Sequence, residues 1–209
     1  MNKGTIVSLN VGTTKNIAGD HEKEVLSAIN KQSIKERVLH LSSTQIEGDE
    51  QADLINHGGL DKAVCVYPYE HYHYWHKLLG FPLLVGAFGE NITLRGFTEA
   101  DTFIGDIFQW GEAIVQVSQP RRPCFKVAKR HGVNKFPLYI KETGYSGYYL
   151  RVLQTGNISA KDPLIFQERK TDCSIEYVNK ITYHDKQNQQ AINRLVELKE
   201  LSPAWKASL

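Results

Sequence analysis

The stretch Asp106-Ile107-Phe108-Gln109-Trp110-Gly111-Glu112-Ala113-Ile114-Val115-Gln116-Val117-Ser118 decides the fold. In its second limb Ala113, Val115 and Val117 fall on one face and polar Gln116 on the other. A period of two is the mark of a half-buried strand. The first limb, 106–110, is rich in the apolar and aromatic residues that strands favour, and Gly111 between the limbs supplies the turn of a hairpin.

Working outward, the same pattern recurs. Thr5, Val7, Leu9 and Val11 fall on one face with Ser8 and Asn10 on the other, Ile6 being the exception, and this predicts a first strand. Further strands are predicted at 33–41, 63–67 and 91–94, and beyond the hairpin at 148–153 and 164–167. The last two are separated by the turn-rich runs Thr155-Gly156-Asn157 and Asp162-Pro163. One helix is predicted from Pro68 to Leu79, because proline suits a first helical turn and Gly80 with Pro82 stops it. Many short strands with few helices between them predict a mainly β, mainly antiparallel barrel rather than alternating βαβ units. After Lys170 the pattern changes. Residues 174–183 and 187–201 read as short amphipathic helices, and Ser202-Pro203 reads as an N-cap followed by proline at the first helical position. The expected organisation is a barrel domain over 1–169 and a small helical extension over 170–209. An apolar face on those helices would favour a homodimer, and no chemistry is expected there.

Composition bounds the function. Hydrophobic residues make up 41% and charged residues 23%, as in an ordinary globular chain. The formal net charge of +2 gives no support to a nucleic-acid partner. No apolar run is long enough for a bilayer and the N-terminus has no signal-like segment, so no membrane role is expected. Three widely spaced cysteines, Cys65, Cys124 and Cys173, make a poor disulfide framework and point to a reducing, cytoplasmic setting.

The chemistry concentrates in Gln119-Pro120-Arg121-Arg122-Pro123-Cys124-Phe125-Lys126. Two prolines fix the backbone around a thiol, and Pro123 is placed to open a helix. Arg121, Arg122, Lys126 and a helix N-terminus all favour thiolate over thiol at Cys124. A thiolate is a nucleophile, a sulfur carrier or a soft metal ligand. A buried cysteine beside a solvated basic loop would give the same residues, and the residue types leave both readings open. A second cluster runs from Glu47-Gly48-Asp49 to His57-Gly58-Gly59-Leu60-Asp61-Lys62, where paired glycines allow close backbone approach and His57 and Lys62 suit an anion. Spacing alone fits a surface turn as well. In Gly86-Ala87-Phe88-Gly89-Glu90-Asn91 a polar pair follows a glycine. The histidines His71, His73 and His76 lack the i, i+4 spacing of a zinc helix, so aromatic packing is the expectation there.

Taken in order, these motifs, with Gly105-Asp106, resemble the MOSC-domain family, named for the C-terminal domain of molybdenum cofactor sulfurase. The likeness is greatest to its stand-alone bacterial hydroxylaminopurine-resistance type. The resemblance spans nearly the whole chain, including a three-helix tail. It implies a MOSC-type β-barrel related to the pyruvate kinase β-barrel type, and molybdenum cofactor (molybdopterin) as the bound group. It makes Cys124 the molybdenum ligand, or the carrier of a persulfide. Arg121 becomes the contact to the cofactor's phosphate or pterin, Arg122 falls at a variable position of the motif, and Lys126, His57, Gly58, Gly59, Lys62, Glu90 and Asn91 share the pocket. The implied activity is reduction of small N-hydroxylated compounds such as hydroxylaminopurine. No pyridoxal-phosphate-dependent desulfurase or ferredoxin-like segment is seen, so electrons are expected from a separate reductase. The alternative is sulfur delivery without turnover.

Overall fold

The residues that alternate in the sequence close on themselves. In the computed structural model, which describes all residues except Met1, Asp20, Glu22 and 54–57, seven strands form a barrel. They are β1 (Lys3–Val11), β2 (Val64–Pro68), β3 (Ile92–Arg95), β4 (Ile107–Trp110), β5 (Ala113–Pro120), β6 (Tyr148–Gln154) and β7 (Leu164–Glu168). Around the ring the order is β1-β3-β2-β6-β5-β4-β7, and β7 returns to β1 at Gly4 opposite Leu164. Closure leaves this ring without a free edge. The β4–β5 hairpin turns at Gly111, which adopts φ 56°. Among the described residues only the β2–β3 pair is parallel. A parallel pair needs a crossover, and α1 (Tyr72–Leu79) supplies it, entered from Pro68 through the turn Tyr69–His71 and ended by Gly80 at φ 78°.

Two strand readings need correction. β1 exists, but its faces are not those of a simple alternation. Ile6 pairs with Leu94 and Ser8 with Thr93, so Val7 is an extra residue that bulges out, 38% exposed, while Ile6 and Leu9 both enter the core. A one-residue bulge exchanges the faces of everything beyond it. The strand expected at 33–41 is two short ones: Gln32–Ser33 pairs with β1, and Leu39–Leu41 pairs with Gly156–Ile158. The charged run Lys35-Glu36-Arg37 lies between them.

Two helices follow β5. The first, α2 (Phe125–His131), begins after Cys124, which has extended backbone (φ −115°, ψ 143°) as its N-cap; Pro123 precedes the helix and does not open it. The second, α3 (Phe136–Thr143), was not foreseen from the sequence. Its Phe136 and Ile140 are buried one turn apart, with Phe136 edge-on to Trp75 and Phe88.

The barrel core continues without a break into α4 (Ile175–Tyr183), α5 (Gln189–Glu197) and α6 (Pro203–Lys206). Ser174, Asn188 and Ser202 cap them, each accepting a backbone N–H through its side chain. Ile175, Val178, Ile181, Leu195, Leu201 and Trp205 are buried in the same cluster as Phe108 and Trp110. Most of the apolar face of these helices is thus covered by the chain's own barrel, and Val196 of α5 is left 45% exposed. A second cluster, Tyr67, Tyr72, Trp75, Phe88 and Phe136, lies under α1 and α3. His71 joins it by stacking on Tyr145 at 3.7 Å and by a 2.5 Å hydrogen bond to Glu99, while His73 and His76 are exposed. Among the described residues no cluster suits a metal ion held by histidines and acids, and no helix is long and apolar enough to cross a membrane.

Candidate functional site

β5 runs out at Pro120, but its ladder does not. Arg121 N–H donates to the Gly147 carbonyl at 3.0 Å, which holds the residue against the sheet and turns its side chain inward. Arg121 is 7% exposed. Its Nη2 donates to the Phe88 carbonyl at 2.6 Å, and its Nη1 is buried with no hydrogen-bond partner among the described residues. Three residues on, Cys124 sits half-buried at the start of α2, a free thiol.

Two hollows meet at that thiol. The inner one, about 90 Å³, is walled by Lys31, Asp49, Cys65, Asn91, Arg121 and Tyr149. The outer one, about 520 Å³, is walled by Arg122, Phe125 and the C-terminal residues Ala204, Trp205 and Ser208. Cys124, Lys62, Lys126, Asp53 and Tyr149 border both. The outer volume lies within the roughly 300–1,000 Å³ of small-molecule sites.

The inner wall is polar and braced. Lys31 and Asp49 form a buried ion pair, and Asp49 also accepts from Gly12 N–H at 2.9 Å and Asn91 Nδ2 at 2.8 Å. Asn91 Oδ1 accepts the Cys65 N–H at 3.0 Å, and its Nδ2 also reaches the Asn10 carbonyl at 3.3 Å. Its amide is therefore committed to tying β1 and β2 together. Burial pushes the Cys65 thiol up to about 11, with Arg121 opposing. Tyr149 pairs with Cys65 on one side and Gln119 on the other, so the strand order places it between the two cysteine-bearing segments. Lys62 is held below the ordinary lysine value by burial first and then by Arg122, with Asp53 and Asp61 opposing.

The structure thus brings together Cys124, Arg121, Lys62, Lys126 and Asn91, with Arg122 on the outer hollow alone. Glu90 lines neither hollow. It is fully buried and accepts from Tyr72 Oη (2.5 Å), Gly86 N (3.0 Å), Phe88 N (2.9 Å) and Thr93 Oγ1 (2.8 Å). Its work is to fold the 86–90 loop whose Phe88 carbonyl receives Arg121. Gly58 and Gly59 also line neither hollow; Gly59, at φ 97°, turns the chain into the helical turn Leu60–Lys62. His57 lies outside the described residues. Lys31, Cys65, Tyr149 and Trp205 are site residues that sequence reasoning missed. The first three carry no local motif, and their signal is the pairing of distant strands. Trp205 belongs to the tail from which no chemistry was expected.

The family model of the MOSC domain matches residues 53–165, more than half of the chain. The chain belongs to the MOSC family. Residues 174–209 match a second model, the YiiM-like 3-alpha helix domain. The chain is 46% identical over 205 residues to the Bacillus subtilis (strain 168) protein YflK, covering 98% of this chain and 92% of that one. The crystal structure of YiiM from Geobacillus stearothermophilus superposes with a TM-score of 0.83 at 40% identity, covering 98% and 96% of the two chains. A Gibberella moniliformis (strain M3125 / FGSC 7600) protein named "Reductase" is 36% identical over 173 residues, which are 79% of this chain and 30% of that protein. The closed barrel and the C-terminal helices of this chain are thus shared with the YiiM structure.

Proposed function

We propose that this MOSC protein binds a molybdenum–pterin cofactor with Cys124 as the metal ligand, and reduces N-hydroxylated compounds such as hydroxylaminopurine base analogues to amines. The observation that carries the reading is Arg121. An unpartnered buried donor on a charged group costs about 1–3 kcal/mol or more, and here it stands beside a half-exposed thiol where two hollows meet. That setting suits an acceptor-rich, anionic group carrying a metal that accepts a thiolate ligand. Cys124 offers the sulfur ligand. Arg121, Lys62 and Lys126 offer cationic donors for phosphate and pterin oxygens and nitrogens. When bound, the group supplies the redox chemistry.

The chain's own residues bind, orient and shield. The Lys31–Asp49 pair and Asn91 keep the inner wall rigid and polar. The Glu90 loop holds the Phe88 carbonyl that fixes the Arg121 plane. The name of the Gibberella relative supports a redox reading. Electrons come from a separate reductase in this account.

Sulfur delivery by a persulfide on Cys124 uses the same thiol but gives Arg121 Nη1 no acceptor, and it ranks second. Elemental analysis tests the choice. Protein from a cofactor-producing host should carry near-stoichiometric molybdenum and, with a reductase, convert hydroxylaminopurine; Cys124→Ser should do neither. Wild-type protein without molybdenum, gaining a stable sulfur on Cys124 from a cysteine desulfurase, would overturn the reductase in favour of the carrier.

A further inference from the structure

The outer hollow has a wall that no barrel strand supplies. α6 is fastened to the end of β5: Ser202 N–H donates to the Ser118 carbonyl at 3.0 Å, and Ser202 Oγ donates to Gln119 Oε1 at 2.6 Å. This brings Trp205, 1% exposed, beneath Arg122. The Arg122 guanidinium lies over the Trp205 ring at 4.5 Å, and its Nη2 donates to Ser208 Oγ. Arg122 itself is exposed and lines the hollow together with Trp205. Ala204, also exposed, stands on the same wall and leaves it open.

A guanidinium held over an indole and tied to a neighbouring hydroxyl is a stacking surface for a planar nitrogen heterocycle, and its charge adds to the attraction. The surroundings agree. Phe125, 60% exposed, offers an apolar edge beside the platform. Lys62 and Lys126 lie at the junction with the inner hollow, next to Cys124.

We infer that α6 and Arg122 form a substrate subsite in which a planar heterocycle stacks on the Arg122–Trp205 platform, with Ala204 setting the room available. The C-terminal helices thereby act as a specificity element and not as an appendage. The inference takes the reaction from the function proposed above, but the subsite itself depends only on the wall.

The test compares wild type, Ala204→Trp, which fills the wall, and Arg122→Lys, which keeps the charge and removes the plane. Each is titrated calorimetrically with 6-hydroxylaminopurine. Each is then loaded with cofactor and assayed on that compound and on the small, non-aromatic N-hydroxyurea. Purine affinity should fall about tenfold in either variant, the loss of one stacking surface. The ratio of kcat/KM for the purine to that for N-hydroxyurea should fall about as much. Wild type that binds no purine, or variants that bind it as wild type does, would overturn the subsite. Purine binding that responds to both substitutions, in loaded protein that reduces neither compound, would uphold the subsite and sink the reductase.

Discussion

Replacing Glu90 by glutamine separates a loop anchor from a ligand contact. Glu90 is wholly buried and every group around it is a donor: Tyr72 Oη, Gly86 N and Thr93 Oγ1 on Oε1, and Phe88 N on Oε2. A glutamine has the same shape but must place an NH2 at one of the two oxygens. At Oε1 it would oppose Gly86 N–H and force both hydroxyls to turn round and accept, so it takes the Oε2 position and meets Phe88 N–H. That loses one bond to a charged acceptor, about 1.5–3 kcal/mol, and weakens the three that remain. The sum is about 3 kcal/mol, which for a chain of this size lowers Tm by about 6–12 °C. Because Phe88 also gives its carbonyl to Arg121 at 2.6 Å, the loop shift should reduce molybdenum content as a second effect. Differential scanning calorimetry of the apo-protein reads the first effect with no cofactor present. A Glu90→Gln protein that melts within a degree of wild type but cannot be loaded would refute the argument, and would make Glu90 a direct contact to the bound group.

Two further expectations follow from the thiols and from the cation pair. With Cys65 pushed up to about 11 by burial, about one thiol in a thousand is ionised at pH 8; iodoacetamide should therefore mark Cys124 in the folded protein and leave Cys65 unmodified until urea is added. Peptide mass spectrometry decides this, and an early adduct on Cys65 would mean that the inner hollow opens. Arg122→Ala removes one of the two influences that hold Lys62 low, burial being the larger, so the Lys62 titration observed by NMR should move to higher pH. A midpoint that stays still or moves down would show that the two cations do not interact.

Much of this protein is legible from local pattern. The β4–β5 hairpin, the buried strand β2, the α1 helix and the tail helices rest on alternation, on helical spacing, on glycine and proline, and on the Ser202 cap, and such signals act within a few residues. The motif around Cys124 is equally local: a basic run between two prolines after a strand. Where a signal depends on a partner, the reading fails. The faces of β1 exchange at Val7 because of its register with β3. α3 shows only Phe136 and Ile140 as a face, and that face has meaning once Trp75 and Phe88 are beside it.

The sequence alone determined that a thiol stands at the start of a helix with arginines before it, because those residues are joined by a few peptide bonds. The tertiary structure decided which polar residues face that thiol. Glu90 is drawn away by four donors that converge from different elements, Tyr149 is brought in by its place between two strands, and Trp205 arrives from the far end of the chain because burying α6 on the barrel sets it under Arg122. Hydrogen-bond satisfaction and apolar burial are settled among all neighbours at once, and a linear chain does not state who those neighbours are.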